Sequence, residues 1–391
     1  MTQPAKPLEW DIFCNVIDNF GDIGVCWRLS RQLTVEHDCR VRLWVNELEA
    51  FQRICPEIDP QIPIQHVSGV EVRRWASTFP ESVPGDVVIE AFGCHLPEPF
   101  VDAMAGCRAP PVWINLEYLS AEAWVSGCHT LPSPHPKLPL TKYFFFPGYG
   151  EGTGGLLREH DLEQRRQGFC TSVEQQKDFW FSLGLPPPPA DALVVSLFAY
   201  ENSAIGDLLT VWARGEEPVC CLAPESRTLA ALEEFAGQSM RAGDTIRRGK
   251  LELRVLPFVT QQDYDRLLWA SDISFVRGED SFVRAQWAAK PMVWHIYPQD
   301  EGTHLSKLGA FLDQYTAGAS QATAEAVRVL HNAWNGDLSG ERHAPRITPE
   351  LWQQWMDALP DLRNLAENWA NHLINQEDLC SSLVRFCRSK L

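Results

Sequence analysis

The chain has little that would carry it into a membrane, out of the cell or onto a polyanion. No uninterrupted apolar run approaches the roughly 18 residues of a membrane span, and "MTQPAKPLEWDIF" lacks an apolar stretch of signal-peptide length. A cytoplasmic location with no membrane association is therefore expected. Positive charge is short: 34 Lys and Arg stand against 51 Asp and Glu, a net charge of −17. Phosphate repels such a surface, which argues against a general nucleic-acid binder while leaving room for local basic patches, and any acidic partner must be held by local contacts. None of the 12 cysteines forms a C-x-x-C pair, although Cys220 and Cys221 are adjacent. Scattered through a large chain, they read as reduced, buried thiols rather than a disulfide or zinc framework. His295 and His304 lack metal-ligand spacing and suit a core or loop role. Internal repeats and low-complexity tracts are also missing.

What remains is a globular composition in a chain long enough for two domains. Of 391 residues, 45% are hydrophobic and 22% charged, and 15 Trp and 19 Phe are available for a core. "WDIFCNVI", "RVRLWV", "DVVIEAFG", "PVWINLEYL" and "KYFFFPG" are short apolar runs ended by Gly, Pro or polar residues. Such runs suit buried parallel strands. "GVCWRLSRQL", with Cys26, Leu29 and Leu33 at helical spacing, lies between the first two. Pro186 to Pro189 read as a stiff connector, after which the alternation restarts with "ALVVSLFAY", "EPVCCLAP", "LELRVLPFV", "SDISFVRG" and "KPMVWHIYP". From about Pro349 the tail is helical and amphipathic, with Leu351, Trp355 and Leu359, then Leu362, Leu365 and Trp369, on one face. The pattern predicts an α/β fold of two doubly wound Rossmann-like domains facing across a cleft. They would span residues 1–185 and 190–365, and a helix near 366–391 could pack back on the first. In such sheets ligands bind beyond the carboxyl ends of the strands, which points to the loops after "DIFCNVI" and "SDISFVR".

The loop after "SDISFVR" is "RGEDSFVRAQWAAKP". Arg277 ends a strand, Gly278 permits a tight turn, and Ser281 is a candidate N-cap. Helix-start N–H groups and Arg277 would suit a diphosphate. Glu279 and Asp280 have the wrong charge for phosphate but suit sugar hydroxyls. An ordinary capped helix with acidic residues at its start reads equally well. Upstream, Phe258 could stack on a base and Gln261 hydrogen-bond to it, although a Phe after a strand is more often core. The loop after "DIFCNVI" carries Asp18 and Asp22 with Gly21 and Gly24, glycines that let a ligand approach the backbone. Its plain alternative is that Asp22 caps the following helix and Asp18 starts an Asx-turn. "GEGTGG" places Gly150, Gly152 and Gly155 in the G-x-G-x-x-G spacing of a dinucleotide loop, but outside the first βαβ unit where that fingerprint belongs.

"VIDNFGDIGVCWRLSRQL", "NLEYLSAE", "LPSP", "GGLLRE", "PFVTQQDYDRLL", "RGEDSFVRAQWAAKP" and "WHIYPQDEGTHLSKL" together closely resemble the EarP family of bacterial protein-arginine rhamnosyltransferases, from about residue 10 to residue 310. The resemblance implies a GT-B fold and dTDP-β-L-rhamnose as donor. It implies inverting transfer of rhamnose to one arginine in the N-terminal domain of elongation factor P, which relieves ribosome stalling at proline runs. By the same resemblance Asp22 looks like the general base, Glu279 a second required carboxylate and Asp18 a further acid needed for activity. Asn19, Phe20 and Gly21 fall on the rhamnose and acceptor side. Phe198, Tyr200, Phe258, Gln261, Arg277, Asp280 and Ser281 look like donor-pocket residues. No metal or other cofactor is expected. Two rival readings stand beside this one: a non-catalytic protein of the same fold that holds elongation factor P, and an NAD-dependent oxidoreductase using Gly150, Gly152 and Gly155.

Overall fold

The computed structural model describes residues 6–17, 20–76, 78–299, 302–336 and 346–391. The chain divides into two compact units, residues 1–160 with 375–391, and residues 161–374.

The first unit is a doubly wound sheet. Its elements run β1 (Glu9–Cys14), α1 (Gly21–His37), β2 (Arg40–Val45), α2 (Leu48–Ile54), β3 (Ile64–Val67), β4 (Val70–Arg74), β5 (Val87–Ala91), α3 (Glu98–Gly106), β6 (Val112–Leu116), α4 (Val125–Cys128), β7 (Pro132–Pro134) and β8 (Thr141–Phe145). The strand order is β3-β4-β2-β1-β5-β6-β8-β7. The six inner strands are parallel; β3 and β7 pair antiparallel at the two edges. Strands β5 and β6 are buried at every residue, the signature of a sheet covered on both faces. On one face Phe13, Trp44, Phe100, Met104 and Trp113 form a core cluster, with Phe13 stacked on Trp44 at 5.5 Å.

The second unit runs α5 (Leu162–Thr171), α6 (Val173–Ser182), β9 (Leu193–Leu197), α7 (Ala204–Arg214), β10 (Val219–Pro224), α8 (Leu229–Ala236), β11 (Thr245–Arg248), β12 (Leu251–Leu256), α9 (Gln261–Ala270), β13 (Ile273–Arg277), α10 (Asp280–Trp287), β14 (Met292–His295), α11 (Thr303–Tyr315), α12 (Gln321–Asn335), α13 (Pro349–Asp357) and α14 (Leu359–Ile374). Its strand order is β11-β12-β10-β9-β13-β14, parallel except for β11. The chain then returns to the first unit as α15 (Leu379–Arg388).

The units part at residues 160/161 rather than near the proline run. Helix α5 belongs with the second unit because Phe169 packs against Phe179 and Trp269. The prolines are not a free tether: Arg254 Nη1 donates to the Pro186 carbonyl at 2.5 Å, fixing the segment to β12. Helix α15 completes the first unit. Leu379, Cys380, Leu383, Val384 and Cys387 are buried on it, and its cap Asp378 accepts from Ser381 N–H and from Gln32 Nε2 of α1. That cover explains why α1 is buried almost all round. It also explains the glycine run before it. A Cβ on Gly154 would stand 2.4 Å from Phe145 Cε1 of β8 and 2.9 Å from Leu379 Cδ1, and one on Gly155, at φ +76, would stand 2.1 Å from the Glu377 carbonyl oxygen.

Candidate functional site

In a doubly wound sheet the crevice opens where the strand order reverses. In the first unit the chain proceeds from β1 to β2 and β4, then restarts on the other side of β1 with β5. The loops after β1, β5 and β6 therefore meet at one end of the sheet, and the structure brings Asp22, Phe92 and Tyr118 together there. Asp22 is 3% exposed, in the first turn of α1. Its Oδ2 accepts the Ile17 N–H at 2.8 Å, and its Oδ1 accepts the Tyr118 hydroxyl at 3.3 Å. The carboxylate reaches back into the loop instead of capping the helix: the N-cap is Phe20, which makes no side-chain cap. The helix start favours its negative charge. Tyr118, 37% exposed, stacks on Phe92 with ring centroids 4.4 Å apart. The loop itself is tied to β2 by Asn46, which accepts from Val16 N–H and donates to Asn15. Gly21 opens α1 and Gly24 is buried inside it, its N–H bonded to the Phe20 carbonyl. Asp18 and Asn19 lie outside the described residues.

In the second unit the order reverses between β9 and β13. Phe198 and Tyr200 follow β9, and Arg277 ends β13. The Arg277 guanidinium lies 4.6 Å from both ring centroids. Two aromatic faces stabilise a planar cation without using its in-plane N–H groups. Tyr200 is held in turn edge-on by His295 and Tyr297. His295 is neutral: burial chiefly, and then the nearby Arg277 charge, lower its pKa to about 3.

The turn after Arg277 corrects one expectation. Gly278 is left-handed at φ 61, Glu279 occupies the N-cap position, and α10 begins at Asp280. Ser281 therefore sits inside the first turn and is not the cap. Its hydroxyl accepts the Arg277 N–H at 3.0 Å and donates to the Arg277 carbonyl, so it locks the strand end to the helix start. Gln261, first residue of α9, donates to Asp280 Oδ2 at 3.2 Å. Beneath them Arg284 of α10 and Asp265 of α9 form a buried two-pronged ion pair at 2.8 and 2.7 Å. Trp294 donates to the Gly278 carbonyl at 2.8 Å and stacks on Phe282 at 3.8 Å. Buried Tyr264 lies edge-on to Phe198, its phenol pushed above the usual range mainly by burial. Phe258 is half-buried at the end of β12.

Tyr118, Tyr264 and Tyr297 were not reached by sequence reasoning, whereas His295, expected in a core or loop role, is buried. "NLEYL" and "WHIYP" each put an aromatic just past a strand, which is the available signal. Gly150, Gly152 and Gly155 do not form a dinucleotide loop. No helix opens behind them until Leu162, and Gly155 is filled by the approach of the chain to α15. Among the described residues no group of three or more His, Cys, Asp or Glu could hold a metal ion, and no helix is long and apolar enough to cross a membrane.

The family model described as Elongation-Factor P (EF-P) rhamnosyltransferase EarP matches residues 10–388. A protein-arginine rhamnosyltransferase of Pseudomonas putida is 48% identical over 383 residues, 98% of this chain and 99% of the relative. A solved EarP structure, described as the basis for arginine glycosylation of translation elongation factor EF-P, superposes with a TM-score of 0.69 at 35% identity, covering 98% of this chain and 100% of the other. MurG of Acinetobacter baumannii, at 11% identity and a TM-score of 0.50 over 99% of this chain and 100% of its own, shares the fold alone. The architecture is GT-B, and the chain belongs to the EarP family of elongation-factor P rhamnosyltransferases.

Proposed function

We propose that the chain transfers L-rhamnose from dTDP-β-L-rhamnose to a side-chain nitrogen of one arginine in the N-terminal domain of elongation factor P, with inversion, and so equips that factor to relieve stalling at polyproline. The single observation that carries the reading is the nearly buried Asp22 carboxylate, held at a strand-order reversal by Ile17 and Tyr118. A guanidinium is a delocalised cation with a pKa above about 12 and a poor nucleophile. A carboxylate bonded to it localises the charge and takes one N–H proton as the new bond forms. The nitrogen lone pair then makes the bond to the anomeric carbon while the carbon–oxygen bond to the diphosphate breaks, and the electron pair leaves with dTDP. One displacement inverts the centre without a covalent enzyme intermediate.

The second unit supplies the donor side in this reading. Arg277 and the N–H groups at the start of α10 receive the diphosphate and its growing charge. Phe198, Tyr200, Phe258, Gln261, Asp280 and Ser281 frame the nucleotide and sugar, and Glu279 is the second carboxylate. Asp18 would grip the arginine, with Asn19, Phe20 and Gly21 beside the sugar. The leaving charge is met by Arg277 and backbone donors, so the reaction is assigned no metal, and a cytoplasmic location follows from the acceptor.

The test is co-incubation of the chain, dTDP-rhamnose and elongation factor P, read by intact mass and peptide sequencing. One deoxyhexose on one arginine is the expected product. An unmodified acceptor would leave only a binding protein, and a product unchanged by chelator supports the metal-free assignment.

A further inference from the structure

We propose that Tyr118 is the positioning residue for the Asp22 carboxylate, and this rests on the assignment of Asp22 as base. An aspartate carboxylate turns easily about its last bond, because that torsion is broad and two-fold. A base must present one oxygen along one direction. Here each oxygen has its own donor: the Ile17 N–H on Oδ2 at 2.8 Å and the Tyr118 hydroxyl on Oδ1 at 3.3 Å. Together they stop the rotation.

The hydroxyl is worth little as an orienting group unless its ring is itself held. The structure supplies that support from two neighbouring strands. Tyr118 stacks on Phe92 at 4.4 Å with the planes 17° apart. Phe92 follows β5 with φ 56 and is followed by Gly93 with φ 64. A left-handed phenylalanine persists only where its surroundings hold it. They do so here: Phe92 N–H bonds the Leu116 carbonyl at 2.7 Å, Gly93 N–H bonds Asn115 Oδ1 at 3.2 Å, and Asn115 Nδ2 donates to Glu117. The end of β6 and the turn after β5 are thus one connected brace, and the phenol projects from it onto Asp22.

The distance decides what kind of help this is. Strong hydroxyl–carboxylate bonds are about 2.5–2.7 Å long, so at 3.3 Å the phenol orients the carboxylate more than it quenches it. A carboxylate oxygen has two lone pairs, so the hydroxyl and a substrate N–H can share Oδ1. On the strand side Asp22 also faces the Cys14 thiol, which burial keeps protonated. A hydroxyl donated to a carboxylate favours its charged form, which gives the proposal a signature that mere packing lacks.

Tyr118→Phe deletes the hydroxyl and keeps the stack on Phe92. In the assay with dTDP-rhamnose and elongation factor P, kcat should fall about tenfold. The acid limb of the kcat–pH profile should move up by about half a unit, since the carboxylate is then lost at higher pH. The affinity for dTDP and the melting temperature should stay near those of the parent. On an Asp22→Asn background the same change should have no further effect, because the two act as one unit. A parental kcat, a fall in kcat with an unmoved acid limb, or a full effect on the Asp22→Asn background would each overturn the positioning role. If Asp22→Asn alone keeps its turnover, the base assignment fails; if it is inactive while Tyr118→Phe is normal, only the present inference falls.

Discussion

The two strand-order reversals in this molecule are the same piece of topology holding opposite charges. In the first unit a carboxylate is kept by neutral hydrogen-bond donors, a backbone N–H and a phenol. In the second a guanidinium is kept between two aromatic faces, with its backbone locked by Ser281. Hydrogen bonds from neutral donors favour a carboxylate, and ring faces favour a planar cation. On the proposed mechanism the difference divides the work: the acidic end takes a proton and the cationic end holds a diphosphate.

That division can be broken most severely at Asp22. Asp22→Asn keeps the shape and an acceptor oxygen but removes the basicity, so kcat should drop by about 10²–10⁴-fold, the usual contribution of general-base catalysis. Calorimetry should find the dTDP affinity unaltered, and weakened nucleotide binding would contradict the division. The reverse split is expected at Arg277. A charge-assisted hydrogen bond is worth about 1.5–3 kcal/mol, so Arg277→Ala should weaken dTDP about 10- to 100-fold. Ser281→Ala should weaken it less, since the hydroxyl acts through the position of the Arg277 backbone. An unchanged dissociation constant in Arg277→Ala would remove the phosphate role.

A third contrast lies in the glycine run of the first unit. At Gly155 a Cβ would stand 2.1 Å from a backbone oxygen at φ +76, whereas at Gly150 a Cβ would meet nothing within 4 Å. Gly155→Ala should destabilise by about 2–4 kcal/mol in chemical unfolding, from left-handed strain plus displacement of α15. Gly150→Ala should change stability by less than about 0.5 kcal/mol and leave transfer intact. A dinucleotide loop would have made both glycines matter to function.

The parallel strands were legible because "VVIEA" and "VWINL" are continuous apolar runs. The hairpin of β3 and β4 was not, because "IQHV" and "VEVRR" are short, only partly buried and carry polar residues at a sheet edge. Local chemistry singled out the Asp22 loop and the Arg277 turn, which lie at the two strand-order reversals. It erred by two residues on the cap, because Ser281 bonds back to Arg277 across the turn. The packing role of the glycine run was not legible, because the atoms that crowd it belong to residues distant along the chain: Phe145 and Leu379 at Gly154, and Glu377 at Gly155. Tyr118 escaped because its bond to Asp22 spans 96 residues, and only the adjacency of β1, β5 and β6 creates it.

The smallest expected effect separates the cationic end from its supports. His295 is buried behind Tyr200, and burial together with the Arg277 charge lowers its pKa to about 3. In the unfolded chain an imidazole titrates near 6.5, so between about pH 6.5 and pH 3 the unfolded state binds a proton that the folded state does not. Stability is therefore complete above about pH 6.5 and declines as pH falls toward 3. His331, buried and lowered to about 4 by burial, pulls the same way. His295→Asn removes the titration and keeps a polar side chain. Its melting temperature should fall less steeply than the parent's between pH 6.5 and pH 4, a difference on the order of 1–3 kcal/mol at the acid end. At neutral pH the dTDP affinity should shift by less than it does in Arg277→Ala, because the imidazole supports Tyr200 and carries no charge of its own. A parallel fall in the two melting curves would mean that His295 titrates normally and that the Arg277 cage is wetter than its aromatic walls imply.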